Sequence, residues 1–330
     1  MHNGKSKNLL WQPEAESLDL LTYIKNTTQL GNYDNISRTY AYKNYYERNL
    51  EIKWSFLASM VSRNAGWCMT DLQGTWFRKA LSNEKRHLLF MTYEKANWRI
   101  FADAYPQLLI YEQSKKENKP LFSLLIHFHV STFMVKEWQY FWEYQDKERL
   151  MIALIINEQN VIQKPIIENK FYIKKVFHSF PYFFQDEFHF STVIFPTMRG
   201  ELYGFSVYDF QNVTKRIQLG KRLAWLLFHP EYYDDFLLFS RIITHTGSRY
   251  DFEQYIPKKS KRETPFLRTT YPIVTHLLDE VQRDWFHGQS TTKWFRKEKK
   301  PDTYHITEWY KQKKKQLHLF TTIEEYWKNK

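Results

Sequence analysis

The chain predicts an all-α fold, an irregular multi-helix bundle, and three observations carry that expectation. Apolar residues recur at mixed threes and fours through most of the 330 residues, the spacing of one helix face. Helix-start signatures built on Ser, Thr, Asn or Asp precede these runs repeatedly. Strand-like texture is confined to one stretch in the middle of the chain. The aromatic share of 18%, with 12 Trp, 23 Tyr and 26 Phe, supplies large apolar area at low rotamer cost and suits core packing between helices. A chain of this length should bury roughly three quarters of its unfolded surface.

Taken in order, residues 1–30 form an N-terminal segment with one short helix on Leu18, Leu20, Leu21 and Ile24. Asn35-Ile36-Ser37-Arg38-Thr39 reads as a helix start, with Asn35 or Ser37 as cap. After a break at Asn49-Leu50, a second helix runs from about Glu51 to Asn64. Gly66 suits the left-handed position past its C-terminus, and Thr70-x-x-Gln73 has capping-box spacing for the helix carrying Leu72, Trp76, Phe77 and Leu81. Ser82-Asn83-Glu84 opens a long helix to about Lys116, with a break expected before Pro106. Lys115 to Lys119 reads as an exposed loop. Pro120 restarts the helical pattern, which continues through Leu121–Phe128, Phe133–Tyr144 and Leu150–Ile156.

The stretch 161–211 is an irregular connector, with Pro165, Pro181 and Pro196 and two β-favouring runs, 191–195 and 202–208, that suit a small hairpin. Asn212 opens the next helix, to Phe228. His229-Pro230-Glu231 starts another, to Thr244, with Pro in its first turn. Ser248-x-x-Asp251 repeats the capping-box spacing. Helices near 272–286 and 304–328 close the chain. The expected organisation is an N-terminal segment (1–30), a first helical lobe (31–160), the connector (161–211) and a second lobe with a basic C-terminal region (212–330); a single domain is the alternative.

The single cysteine, Cys68, excludes an intramolecular disulfide and a Cys-based zinc cluster and fits a reducing compartment. The first eleven residues lack the apolar core of a signal peptide. The longest uncharged run, 120–135, is shorter than a spanning helix and carries His127 and His129. The expected location is the cytoplasm, with no transmembrane segment. The net charge of +12 is uneven: residues 257–330 hold 17 Lys/Arg against 9 Asp/Glu, and the preceding 256 hold 31 against 27.

Two stretches echo each other. Asn35 opens a helix, Glu51 starts the next, and Ser62-Arg63-Asn64-Ala65-Gly66 ends it. Asn212 opens a helix, Pro230-Glu231 starts the next, and Thr244-His245-Thr246-Gly247 ends it. If the echo is a duplication, the two junctions would lie near a common cleft; the alternative is chance likeness of two helix junctions. The segments 35–39, 51–54, 61–72 and 246–251 together resemble the uncharacterised YppC-like family of Gram-positive spore-forming bacteria, over most of the chain. Such families often write His-Pro-Glu before the second helix. The second copy here keeps His229-Pro230-Glu231, whereas the first has Asn49-Leu50-Glu51. The resemblance implies no activity and no catalytic residue.

Capping alone accounts for Asn64, Gly66, Thr70, Asp71, Gly247, Ser248 and Asp251. It leaves Arg63, Trp67, His245 and Arg249 unexplained. A functional reading uses them: helix N-termini attract anions, and an adjacent Arg adds a fork for phosphate or carboxylate. The candidate ligand-binding set is Arg63, Asn64, Trp67, Thr70, Ser248 and Arg249, with Asp71, His245 and Asp251 as candidate acid/base groups. No metal site is expected. His127 and His129 leave a helix on different faces, Glu187-Phe188-His189 lies in the irregular stretch, and no His-Glu-x-x-His occurs. No Walker loop, Gly-x-Gly-x-x-Gly or Gly-x-Ser-x-Gly is present, and no cofactor is implied. Cys68 reads as a packing residue.

The basic region is the other candidate surface. Lys258, Lys259, Lys261, Arg262, Lys297, Lys299, Lys300, Lys313, Lys314 and Lys315 suit a nucleic acid or an anionic lipid surface, against the plainer reading of solvated loops. Three functional readings stand: a binding or accessory protein with an anion-accommodating cleft, an enzyme on a phosphorylated or carboxylated substrate, and a polyanion or membrane-surface binder.

Overall fold

The computed structural model describes residues 15–174, 192–206, 209–256, 261–277, 284–299 and 301–316. Glu187, His189, Lys258, Lys259 and Lys300, with the first fourteen residues and residues 317–328 of the expected closing helix, lie outside them. The architecture is helical as expected. Helices α1 (Ala15–Gly31), α2 (Asn35–Arg48), α3 (Lys53–Asp71), α4 (Thr75–Ala80) and α5 (Asn83–Glu117) are followed by a 3-10 helix at Phe122–Phe128, then α6 (Thr132–Tyr144) and α7 (Lys147–Val161). A π-turn (Gln163–Ile167) and a single turn (Lys170–Tyr172) lead to an antiparallel hairpin, β1 (Thr192–Pro196) and β2 (Leu202–Ser206), in register Ile194↔Gly204. Helices α8 (Val213–Leu227) and α9 (Tyr233–Ile242) complete the larger elements. No described helix is long and apolar enough to cross a membrane.

Local chemistry sets most helix starts. Ser82 accepts from Lys85 N at 3.3 Å, Ser131 from Met134 N at 3.3 Å, Asp146 from Arg149 N at 2.9 Å and Asn212 from Thr214 N at 3.0 Å. These side chains satisfy amide groups that have no partner inside the helix. The α2 cap is Asp34, accepting from Ser37 N at 2.7 Å, and not Asn35 or Ser37 as the sequence suggested. Asn35 is held elsewhere by tertiary bonds.

Further expectations are corrected, at α3 and Pro106 by packing that local reading does not contain. Helix α3 runs through Gly66 to Asp71, because the helix is buried on nearly all sides there. Thr70 consequently lies inside α3 and caps nothing. Pro106 sits within a continuous α5; the burial of Phe101, Ala104, Leu108 and Ile110 around it offsets a proline cost of about 3 kcal/mol. The run after Pro120 tightens into a 3-10 helix whose His127 and His129 are exposed. Pro230 precedes α9 by three residues and does not occupy its first turn. Residues 272–277 are irregular rather than helical, and the closing helix begins at residue 307.

The largest apolar cluster draws on residues from Ile24 through Tyr42, Trp54, Phe101, Trp138, Leu154 and Leu226 to Trp294. A second cluster joins Met69, Leu72, Phe77 and Phe90 to Leu267. A third joins Trp67, Ile194, Leu202, Phe239, Phe252 and Tyr310. Helix α3 contributes to all three.

Candidate functional site

The last two turns of α3 place Arg63, Gly66, Trp67, Thr70 and Asp71 at spacings of three and four, a single stripe along the helix. Facing that stripe is the segment leaving α9. It is turned by Gly247, whose φ of +78° belongs to the region glycine adopts at no steric cost. A short turn at Tyr250–Glu253 follows.

The two strips interlock residue by residue. Arg63 donates through Nη2 to Ile243 O, with its guanidinium 5.0 Å from the Phe239 ring centroid. Trp67 Nε1 donates to Asp251 Oδ2 at 3.0 Å, and the indole packs edge-on against Phe252 at 4.7 Å. Thr70 Oγ1 donates to Gly247 O at 2.5 Å. Arg249 Nε bridges both oxygens of Asp71, at 2.6 and 2.8 Å. Asn64 faces the hairpin: its Nδ2 donates to Thr192 O at 3.3 Å and its Oδ1 accepts from Ile194 N at 3.1 Å, as a neighbouring strand would.

His245 sits at the centre. Its Nε2 is 2.9 Å from Asn35 Oδ1 and its Nδ1 is 3.4 Å from Asp251 Oδ2. The Asn35 amide is oriented by its Nδ2, which donates to Ser62 O at 2.7 Å. A side chain on Gly66 would press into Asn35 Oδ1 and stand 2.8 Å from His245 Nε2, so this glycine serves close approach. Asp251 also accepts from Thr246 N at 3.1 Å and from the Thr246 hydroxyl. Ser248 Oγ pairs with Thr264, 2.7 Å from its Oγ1, and accepts from Tyr250 N at 3.2 Å. Asp251 therefore turns toward Trp67 and His245 and does not close the capping box that its spacing suggested.

All nine predicted site residues converge, and none is more than 6% exposed. What they line is protein, so the open cleft expected between the junctions is a buried polar lattice. Its electrostatics follow from burial. Burial pushes the Asp71 carboxyl up to about 6, against the pull of Arg249. Burial pulls Arg63 down to about 10, still cationic at neutral pH. Burial, reinforced by Arg63, holds His245 below its ordinary value, while Asp251 stays low because hydrogen bonds from His245, Thr246 and Trp67 outweigh its burial. Cys68 is pushed up to about 12 by burial, which keeps it a thiol.

The lattice opens at one end only modestly, into a recess of about 450 Å³ with its solvent mouth included, lined by Asp71, Arg249, Trp76, Glu253, Glu263 and Lys314 among others. Glu253 accepts from Tyr310 at 2.6 Å and from Lys314 at 2.9 Å. Lys314 also pairs with Glu263 at 3.0 Å. Arg249 Nη1 is buried and has no hydrogen-bond partner among the described residues. Trp76, Glu253, Glu263 and Tyr310 were not singled out by the sequence, since nothing periodic or motif-like joins positions so far apart.

Of the basic residues, Lys261, Arg262, Lys297, Lys299 and Lys315 are exposed, Lys313 is half-buried, and Lys314 is committed to its two glutamates. Among the described residues no group of three or more His, Cys, Asp or Glu is placed to hold a metal.

A family model described as "Protein of unknown function (DUF2515)" matches residues 31–311. The chain is also similar to a Bacillus subtilis (strain 168) protein described as "Uncharacterized protein YppC", 52% identical over 309 residues, 94% of this chain and 96% of that relative. No solved structure matches the chain.

Proposed function

The chain belongs to the family described as a protein of unknown function (DUF2515), and we propose that it is a binding protein that receives a small organic anion in the recess beside Asp71 and Arg249. The observation that carries this reading is the buried, unpartnered Nη1 of Arg249, a residue that borders the recess. A buried donor without an acceptor costs roughly 1–3 kcal/mol, and an oxygen of a ligand carboxylate or phosphate would recover that cost. The Asp71 carboxylate holds the guanidinium by its Nε edge, which fixes its plane before any ligand arrives.

The same geometry disfavours the enzyme reading. His245 and Asp251 are each buried and turned toward protein partners, and both oxygens of Asp71, which borders the recess, are engaged by Arg249 Nε. Of the basic C-terminal residues that are described, only Lys314 enters the proposed site. A reducing, cytoplasmic setting is part of the proposal, and the single cysteine, Cys68, is what supports it.

The test is a thermal-shift and calorimetric screen of the full chain against carboxylates, phosphates, nucleotides and oligonucleotides. Small organic anions should bind saturably, and Trp76→Ala, which removes one wall of the recess, should abolish their binding while the protein stays folded. Anion binding that persists in Trp76→Ala, or a screen in which only oligonucleotides bind, overturns the reading.

A further inference from the structure

The recess carries more information than the presence of an anion-accepting arginine. Its ionisable lining sums to one net negative charge, with Asp71, Glu253 and Glu263 against Arg249 and Lys314. A bare carboxylate entering it would raise the local charge to two negatives, in a site whose partly buried groups are poorly screened by salt. A bare cation would leave the Arg249 donor unserved. A molecule that carries both an acceptor oxygen and a positive charge satisfies both conditions.

The placement of the groups follows the same division. Arg249 lies at the inner end, anchored on Asp71. Glu253 and Glu263 face each other across the Lys314 ammonium, at 2.9 and 3.0 Å. A carboxylate has room for several donors, so the arrangement around Lys314 shows how this part of the recess receives an ammonium group. The Trp76 ring borders the mouth and already holds the Lys79 ammonium 5.3 Å from its centroid, the geometry of a cation–π contact.

Resting on the binding reading above, we propose that the ligand is an α-amino-acid-type zwitterion, its carboxylate taken by Arg249 and its ammonium by Glu263 and Glu253 beside Trp76. The ammonium end then separates amino acids from simple carboxylates, which share the carboxylate end.

The experiment is isothermal titration of the full-length protein with the twenty L-amino acids, each beside its des-amino carboxylic acid and its decarboxylated amine. The expected result is one-to-one binding of at least one amino acid, no less than ten-fold tighter than either truncated analogue. Glu263→Gln, with an unchanged circular dichroism spectrum, should weaken the amino acid at least ten-fold and should not weaken the des-amino acid. A des-amino acid that binds as tightly as its parent overturns the zwitterion inference and leaves the anion site standing. Absence of binding by all three sets also overturns it, and the Trp76-dependent anion screen then decides separately whether the site itself survives.

Discussion

At Gly66 the effect of one methyl group depends on what faces it. An exposed helical glycine changed to alanine gains about 0.5–1 kcal/mol from helix propensity. Here the added carbon meets Asn35 and His245, both fixed by hydrogen bonds, so Gly66→Ala should destabilise by roughly 1–3 kcal/mol. Urea denaturation reads the sign directly, and a gain in stability would show that the helices do not approach as closely as described. The Asp71–Arg249 pair gives a second residue-scale expectation. Removing one partner leaves a buried charge uncompensated, so Asp71→Asn and Arg249→Met should each cost about 3–5 kcal/mol. The double variant should cost clearly less than their sum, and additivity in the cycle would refute the pairing. His245 supplies the pH dependence. Its pKa in the folded state lies below the ordinary 6.5, so the folded protein binds fewer protons than the unfolded chain there. Its contribution is present above pH 6.5 and is lost as pH falls through the folded value. The stability difference between wild type and His245→Gln should therefore shrink as pH falls below 6.5; a difference that stays constant in the acid range would exclude the assignment.

At the scale of elements, α3 is hydrogen-bonded to the hairpin through Asn64, beside the packing of Trp67 on Ile194 and Leu202. Asn64 serves both a carbonyl and an amide of β1, and its loss leaves two buried backbone groups unpaired. Asn64→Ala should cost roughly 2–4 kcal/mol and should lower amide protection at Ile194 more than in α5, which hydrogen exchange measures; equal loss in both would mean the hairpin does not depend on this contact. The elements also show what can be read from sequence. Caps such as Ser82 and Asn212 were legible because their chemistry acts within three residues. The hairpin was legible from its alternating β-favouring runs. Gly66 was misread because glycine signals two different needs, a positive φ and a close approach, and only tertiary contact separates them. Gly247, with its φ of +78°, was the glycine that needed the backbone freedom. The convergence of Arg63, Trp67, His245 and Arg249 was legible because capping left these residues unexplained. Trp76, Glu253 and Glu263 were not, because their meeting is made by the fold alone.

At the scale of the whole molecule, the basic C-terminal region is structural before it is anything else. Gly204 N donates to Tyr304 O at 2.9 Å and Ile306 N donates to Leu202 O at 2.8 Å, so the chain near residue 305 runs along β2 as an added edge. Ile306 and Tyr310 then pack into the cluster around Trp67 and Phe252. Lys314 closes the recess from the same helix. Burying two or three large side chains is worth about 1.5–3 kcal/mol each, a total comparable to the whole stability of an ordinary domain, roughly 5–15 kcal/mol. A variant ending at residue 300 should accordingly lose near-ultraviolet circular dichroism and its cooperative melt at 37 °C, although it removes positive charge from a chain of +12. If the shortened chain melts within 2 °C of the full one, the strap is dispensable. The basic segment would then be available as a free surface, and the recess would have to be rebuilt without Tyr310 and Lys314.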